Sequence, residues 1–372
     1  MIKVVTVVGT RPELIRLSCV IKKLEKYTDH VLVHTGQNFD FELNQIFFDD
    51  LNISEPKYYL DIDTTSVGRV YGNTIIKCEE IFREEKPDAV LILGDTNSSI
   101  AAIIAKRMRI PIFHMEAGNR SFDLNVPEEI NRKIIDHIAD FNLVYTEHAR
   151  RHLISEGFPQ RRIYLTGSPL FEVIEKNKEK ILSSNILANL NLEKKNYFLV
   201  SAHREENVDN TKYLLKIISL LNKIAEKYSI KIIVSTHPRT KKRLEKLPEL
   251  QINHLISFMK PFSFTNYINL QMNALCVISD SGTISEESAI LSFPAISLRE
   301  SMERPEAQDH GTIVLSGFDE DIVLDSIKLS IEESILRKYN PPIEYIISDT
   351  SWRVIKLILG NARLSNKWWG IK

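Results

Sequence analysis

Short apolar segments recur along this chain and alternate with segments that have the spacing of amphipathic helices. The apolar segments include VLVHTG (31–36), AVLILGD (89–95), PIFHMEAG (111–118) and RIYLTGS (162–168). Most are apolar at successive positions, which is typical of strands buried on both faces in a parallel sheet. Helices are predicted between them at 66–85, 97–107 and 128–139. The alternation therefore predicts an α/β fold with doubly wound parallel sheets.

The alternation pauses once, in a polar helical segment at 171–196, and resumes with YFLVSAH (197–203). A chain of 372 residues is also longer than one ordinary domain. We therefore predict two Rossmann-like domains, at 1–170 and 171–349. A closing helix at 350–372 packs back on the first domain or forms an oligomer contact. Two such sheets facing across a cleft would bind a ligand at the carboxyl ends of their strands.

The composition excludes several classes of protein. Lys and Arg number 48 against 49 Asp and Glu, so any bound anion must be held by locally placed cations rather than by a global field. The three cysteines are far apart and lack the spacing of metal ligands, which favours a reducing compartment. No signal peptide or membrane-spanning segment is evident. We expect a cytoplasmic protein with no nucleic-acid or membrane partner.

Several well-known motifs do not occur in the sequence. It contains no GxGxxG, GxxxxGK[ST], HExxH or GxSxG, which argues against a nicotinamide dehydrogenase, a P-loop enzyme, a zincin and an α/β-hydrolase. His114 and Glu116 would share one face of a strand, but no third ligand accompanies them. We therefore expect no metal and no cofactor.

Carboxylates follow two of the predicted strands in the first half of the chain. Asp95 and Glu116 stand where a buried strand gives way to a loop, a position that costs desolvation unless the charge is paired or used. Capping of the next helix by Asp95 and a local ion pair of Glu116 are the alternatives. Glu128 lies in the first turn of a predicted helix with Arg132 four residues on, and helix stabilisation alone could explain both.

Other polar clusters lie at strand ends in both halves of the chain. The turn GTRPE (9–13) carries Arg11, with Arg16 one helical turn later; an anion site or, for Arg16, a solvent-facing pair with Glu13 could explain them. His203 follows the strand at 197–202 and could equally be a buried, hydrogen-bonded side chain. In SDSGTISEESA (279–289), Ser281 and Gly282 open a predicted helix whose N-terminus suits a phosphate, and ordinary N-capping by Ser281 is the alternative.

Seven segments together resemble the non-hydrolysing UDP-N-acetylglucosamine 2-epimerase family, in the same order and over almost the whole chain. They are GTRPE (9–13), LGDTNS (93–98), HMEAGNR (114–120), PEEINR (127–132), SAHREEN (201–207), SDSGTISEE (279–287) and ERPEA (303–307). One branch of the family is similar to this chain in three segments, HTGQNFDFELN, EAGNRSFDLNVPEE and SDSGTISEESAI. That branch acts on UDP-2-acetamido-2,6-dideoxy-L-talose and makes UDP-N-acetyl-L-fucosamine for surface polysaccharide.

The resemblance implies a GT-B-like fold, a homodimer and an isomerase that needs no cofactor. Its substrates would be UDP-N-acetylglucosamine and UDP-N-acetylmannosamine, or their 6-deoxy analogues. The family is thought to expel UDP, leaving a 2-acetamidoglucal, and to add UDP back with C2 inverted. The family's proton-handling residues correspond here to Asp95, Glu116, Glu128 and His203, with Arg132 beside them. Its substrate contacts correspond to Arg11 and Arg16 for the diphosphate, Ser281 and Gly282 for phosphate, Glu287 for the ribose hydroxyls and Tyr267 for stacking on uracil.

The sequence departs from the family pattern at three places. Relatives usually carry lysine in place of Arg16 and often phenylalanine in place of Tyr267. Relatives activated by a second UDP-sugar usually read GQH where this chain has Gly36, Gln37 and Asn38, which argues against such activation here.

Three other functions remain open at this stage. A GT-B glycosyltransferase would release UDP only with an acceptor and without deuterium uptake. A hydrolysing epimerase would release UDP irreversibly. A non-catalytic nucleotide-sugar-binding protein would need Arg11, Ser281 and Glu287 but not the carboxylates of the first half.

Overall fold

A computed structural model describes residues 1–36, 41–201, 211–236 and 251–371 of the chain. The chain divides into two compact units. The first comprises Met1–Lys176 and Ile343–Lys372, and the second comprises Asn177–Pro342. Each unit contains one parallel sheet with helices between successive strands, so the α/β fold class is confirmed.

The first sheet has seven strands in the order β3-β2-β1-β4-β5-β6-β7. Their bounds are β1 Lys3–Val8, β2 Asp29–His34, β3 Tyr58–Tyr59, β4 Ala89–Leu93, β5 Ile112–Met115, β6 Phe141–Val144 and β7 Ile163–Leu165. The second sheet has six strands in the order β10-β9-β8-β11-β12-β13. Their bounds are β8 Tyr197–Ser201, β9 Lys231–Ser235, β10 Ile256–Met259, β11 Cys276–Ser279, β12 Ala295–Ser297 and β13 Val314–Leu315.

Helices connect these strands and cover both sheets. Their bounds are α1 Arg11–Tyr27, α2 Phe41–Leu51, α3 Val67–Glu85, α4 Ala101–Arg107, α5 Pro127–Ile138, α6 Glu147–Ser155, α7 Leu170–Lys176, α8 Lys178–Leu182, α9 Ile186–Asn189, α10 Thr211–Tyr228, α11 Phe264–Asn273, α12 Ile284–Leu291, α13 Glu306–Asp309, α14 Glu320–Leu336 and α15 Thr350–Trp368. The helix predicted at 97–107 is split, because its first turn, Asn97–Ile100, is a 3₁₀ helix.

The strands explain the apolar runs of the sequence. All five residues of β4 and the last five of β1 are buried, and alternate residues of both strands, such as Val5, Val7, Val90 and Ile92, belong to one core cluster. Helices α3 and α4 contribute Phe82 and other apolar residues to that cluster. Every strand pair in both sheets is parallel, so the carboxyl ends of neighbouring strands lie at the same edge.

The closing helix α15 packs on α1. The Lys23 ammonium lies 3.8 Å from the ring centroid of Trp352. At the start of α15, Ser351 donates from its backbone nitrogen and its hydroxyl to the carboxylate of Glu172 on α7. This contact joins α7 to α15, and both helices belong to the first unit, which ends at Lys176 before the chain enters the second unit.

Candidate active site

The carboxyl ends of β4 and β5 lie side by side, with Leu93 paired to Met115, and each strand is followed by a residue in the left-handed region. Gly94 has φ 70° and Glu116 has φ 65°. For a residue with a β-carbon this conformation costs about 1–2 kcal/mol, so the surrounding structure must impose it at Glu116. A β-carbon built on Gly94 would lie 3.9 Å from Oε2 of Glu116. The positions that directly follow β4 and β5, here called the β4 and β5 exits, are therefore adjacent. They are the strand ends predicted to carry Asp95 and Glu116.

Arg16 lies beside this pair of exits. Its side chain is 3% exposed, and its Nε is 4.0 Å from Oε2 of Glu116. Its guanidinium carbon lies 5.6 Å from the ring centroid of Tyr145. The alternative that placed Arg16 on the solvent face beside Glu13 is therefore wrong, because Arg16 points into the protein and contacts a different acid.

Glu13 has another role, which was not predicted from the sequence. Its carboxylate accepts hydrogen bonds from the backbone nitrogen of Gly9 at 2.9 Å, the hydroxyl of Thr10 at 2.8 Å and the hydroxyl of Ser98 at 2.6 Å. Burial raises the pKa of Glu13 above its ordinary value, and the hydrogen bonds from Ser98 and Thr10 oppose that rise. Glu13 thus links the turn after β1 to the turn after β4. Its place in the motif GTRPE is the feature of the sequence that could have indicated this role.

Arg11 is the first residue of α1 and is half-buried. Its guanidinium carbon lies 5.7 Å from the ring centroid of Phe47. The N-terminus of a helix carries unpaired N–H groups and a partial positive charge, so a cation at this position adds to a field that favours an anion. The place of Arg11 is compatible with the expected diphosphate contact.

Asp95 and Arg132 contact each other through Oδ2 and Nη2. Arg132 also donates from Nη1 to the carbonyl oxygen of Asn119 at 3.2 Å and lies 3.6 Å from Oε2 of Glu129. Asn131 donates to the backbone oxygen of Asp95 at 2.9 Å. The alternative that Asp95 caps a helix is wrong, because Thr96 is the N-cap residue of the 3₁₀ turn that follows.

The two acids at the start of α5 differ in their surroundings. Glu129 is wholly buried, and its carboxylate accepts from the backbone nitrogen and hydroxyl of Ser121 at 2.9 and 3.1 Å. Glu128 is half-buried in the first turn of the helix. Glu129 therefore holds the loop before α5, while Glu128 keeps a part of its surface accessible to a ligand.

In the second unit, Ser281 and Gly282 lie in a turn that precedes α12. The helix begins at Ile284 with Thr283 as its N-cap residue, so Ser281 and Gly282 lie directly before the helix start. The Ser281 hydroxyl accepts from the Thr283 backbone nitrogen at 3.3 Å. The sequence placed the helix start too early because Ser and Gly are themselves common at such starts.

Two buried arginines lie against this turn, and a role for neither was predicted from the sequence. Arg304 donates to the carbonyl oxygen of Gly282 at 3.3 Å and pairs with Glu286 at 2.9 Å. Arg299 forms two 2.6 Å contacts with Glu303, and a β-carbon on Gly282 would lie 3.2 Å from its Nη1. The motif ERPEA was the sequence signal for Arg304.

Tyr267 and Glu287 lie near each other in the same unit. Burial and the negative charge of Glu287 raise the pKa of Tyr267, which therefore stays a neutral phenol. Gln271, one turn after Tyr267 on α11, donates to Oε2 of Glu287 at 2.6 Å. This amide orients the carboxylate expected to meet the ribose hydroxyls.

Two predictions lie outside the described residues. They are the role of His203 and the departure at Gln37 and Asn38. Among the described residues, none of the helices combines the length and apolarity needed to cross a membrane. Nor does that part of the chain contain a group of three or more His, Cys, Asp or Glu side chains that could hold a metal ion.

A family model described as UDP-N-acetylglucosamine 2-epimerase matches residues 22–359. The chain belongs to this family. The UDP-N-acetylglucosamine 2-epimerase of Methanocaldococcus jannaschii is 37% identical over 339 residues, which cover 89% of this chain and 93% of that protein. The assignment confirms the resemblance and makes the protein an isomerase.

Solved structures of the family superpose closely on this chain. The UDP-N-acetylglucosamine 2-epimerase from Rickettsia bellii has a TM-score of 0.92 at 47% identity, with 99% of this chain and 100% of that chain covered. The enzyme from Methanocaldococcus jannaschii in complex with UDP-GlcNAc and UDP has a TM-score of 0.90 at 35% identity, with 96% and 100% covered. The GT-B-like fold expected from the sequence is thereby confirmed.

Proposed function

We propose that this epimerase interconverts UDP-N-acetylglucosamine and UDP-N-acetylmannosamine, or their 6-deoxy analogues, by eliminating UDP and adding it back with C2 inverted. The observation that carries the proposal is the adjacency of the β4 and β5 exits. Asp95 and Glu116 follow these exits, and each has a guanidinium in contact, from Arg132 and Arg16 respectively. An adjacent guanidinium favours the ionised carboxylate, which is the form that accepts a proton.

The chemistry explains why several acids and cations are needed. The C2–H bond lies on a carbon that no carbonyl activates, so deprotonation alone is very slow. When the C1–O bond to UDP breaks as well, the electron pair of the C2–H bond forms the C1–C2 double bond of a 2-acetamidoglucal. Return of a proton to the opposite face of C2, with UDP adding to C1, gives the epimer. Proton carriers are therefore required for both faces of the sugar, and cations for the departing diphosphate.

We assign Asp95, Glu116 and Glu128 as the proton carriers of the first unit. Arg11 and Arg16 hold the diphosphate, and Arg132 orients Asp95. The second unit supplies the nucleotide contacts, with phosphate at Ser281 and Gly282, ribose at Glu287 and uracil on Tyr267. His203 is proposed to act on the leaving phosphate, from the family motif alone.

Incubation in D₂O tests the function and separates it from its rivals. UDP-N-acetylglucosamine and, in a parallel sample, UDP-2-acetamido-2,6-dideoxy-L-talose are followed by NMR at C2, without nicotinamide or divalent metal. We expect deuterium at C2 of both epimers, and the substrate that reacts faster identifies the branch. UDP release that depends on an added acceptor, with hydrogen retained at C2, would indicate a glycosyltransferase. Irreversible accumulation of UDP would indicate a hydrolysing epimerase.

We also propose that the protein is a cytoplasmic homodimer. All three cysteines are unbridged buried thiols, as a reducing compartment favours. On α5, Ile130 and Ile134 are 48% and 37% exposed one turn apart, which suits a surface covered by a second copy. Sedimentation velocity should give a dimer that Ile130→Glu weakens, while Ile154→Glu, at a residue 47% exposed on α6, should not. A monomeric wild-type protein would refute the dimer.

A further inference from the structure

His114 lies on β5, two residues before Glu116, and is wholly buried. Its Nε2 is 2.8 Å from the carbonyl oxygen of Gly94, and its Nδ1 is 2.9 Å from Oδ1 of Asp136. The two ring nitrogens thus face two acceptor oxygens, which fixes the ring between the turn after β4 and helix α5.

Asp136 on α5 connects His114 to two further charges. It accepts from Arg120 Nη1 at 2.7 Å and from the backbone nitrogen of Gly118 at 3.1 Å. Arg120 in turn makes two 2.7 Å contacts with Glu156. These four side chains form one connected array, in which His114, Asp136 and Arg120 are buried and Glu156 is exposed at the surface. Because the Asp136 carboxylate contacts the Arg120 guanidinium, the desolvation cost of burying both charges is offset.

The pKa of Asp136 agrees with this arrangement. Burial by itself raises that pKa, but the hydrogen bond and charge of His114, together with Arg120, hold it below its ordinary value. Asp136 therefore stays ionised and can keep the imidazole ring of His114 in one orientation.

The array reaches the candidate active site through the Gly94 peptide groups. The Gly94 nitrogen donates to the carbonyl oxygen of Met115 at 2.9 Å, and the Gly94 oxygen accepts from His114. Both groups of the residue that precedes Asp95 are thus tied to β5. Asp136 lies one turn after Arg132 on α5, and Arg132 contacts the Asp95 side chain.

We propose that His114 is a positioning residue for the epimerisation, held in place by Asp136 so that it fixes the Gly94 carbonyl and thereby the turn that presents Asp95 beside Glu116. This inference rests on the proposed function, because it assigns those two carboxylates to the proton transfers. A histidine that only fills the core would stabilise the fold without a selective effect on turnover.

Kinetics test the positioning role. His114→Gln should lower kcat by about 100-fold, the loss expected when catalytic groups are misplaced by about 1 Å, with KM and UDP affinity changed less than about threefold. Asp136→Asn should lower kcat similarly, since it replaces the carboxylate that holds the ring of His114 in place. The double variant should regain part of this loss, because the introduced glutamine can donate to Gly94 and accept from the introduced asparagine.

The control is Glu172→Gln, which removes another buried carboxylate from the first unit, at the contact with Ser351. It should be destabilised but retain wild-type kcat. Wild-type kcat in His114→Gln, or a loss no larger than its unfolded fraction explains, would overturn the inference. A wild-type protein that exchanges no deuterium at C2 would instead refute the proposed function, and the NMR measurement distinguishes that outcome.

Discussion

Replacement of Arg16 with alanine is expected to weaken UDP binding. In the structure this side chain is 3% exposed, between the ring of Tyr145 and the carboxylate of Glu116. If Arg16 contacts the diphosphate, the variant loses one charge-assisted hydrogen bond, which contributes about 1.5–3 kcal/mol. That loss corresponds to a dissociation constant for UDP about 10- to 150-fold higher.

Folding stability should fall as well, and by a separate mechanism. Unit charges 4.0 Å apart, as Arg16 and Glu116 are, attract by about 4 kcal/mol at an effective dielectric constant of 20, before desolvation is subtracted. In the Arg16→Ala variant, part of this attraction is lost together with the cation–π contact to Tyr145. We expect the free energy of unfolding to fall by about 1–3 kcal/mol. Arg16→Lys keeps the charge but not the planar fork, so it should recover most of the binding and lower kcat several-fold.

The assay is calorimetric titration of UDP into the wild type and both variants, at a temperature where circular dichroism shows each to be folded. Lys26→Ala is the matched control, because it removes one positive charge from an exposed position on the same helix. It should bind UDP like the wild type. A folded Arg16→Ala variant with wild-type affinity for UDP would refute the phosphate role and leave Arg11 and the Ser281 turn as the diphosphate contacts.

Three further predictions concern the acid on α5, one glycine and one buried carboxylate. Glu128→Gln should abolish deuterium exchange at C2 while UDP affinity stays nearly unchanged, since the amide keeps the shape but cannot carry the proton; an equal loss of UDP affinity would assign Glu128 to binding instead. Gly118→Ala should lower the free energy of unfolding by about 3 kcal/mol or more, because the residue has φ 78° and the new carbon would lie 2.4 Å from the carbonyl oxygen of Ala149. The control is Gly157→Ala, because Gly157 has φ 88° but no atom within 4 Å of the added carbon, so only the backbone strain remains. Its free energy of unfolding should fall by only about 1–2 kcal/mol, and an equal fall in both variants would argue against the clash at Gly118. Hydrogen bonds from two lysines lower the pKa of Glu85 to about 2, so its contribution to stability is present above about pH 5 and is lost as the pH falls towards that value. Urea unfolding between pH 6 and pH 3 should show that the free energy of unfolding falls less with acid in Glu85→Gln than in the wild type. If the two proteins lose stability in parallel, the contacts of Glu85 with Lys3 and Lys57 do not contribute as proposed.

The family motifs and the positions of the strands along the chain could be predicted from the sequence because both are properties of short segments. A strand buried on both faces must be apolar at successive positions, so the runs at 31–36, 89–95 and 111–118 predicted parallel strands, and the sheet confirms all three. The same positions fixed the edge of the sheet at which Asp95 and Glu116 emerge. This much required no knowledge of distant contacts.

Tertiary structure alone decided which polar side chains are buried and what they contact. Glu128 and Glu129 are the same residue type in the same helical turn, and only the packing of α5 makes the second one buried. The helical pattern allowed Arg16 either a solvent-facing or a buried position, and the β5 exit supplies its buried partner. His114 could be named as a strand residue, but its two acceptors come from positions 20 residues before it and 22 residues after it. Such pairs form only when distant segments fold against each other, because hydrogen bonds and ion pairs depend on distances that local sequence does not determine.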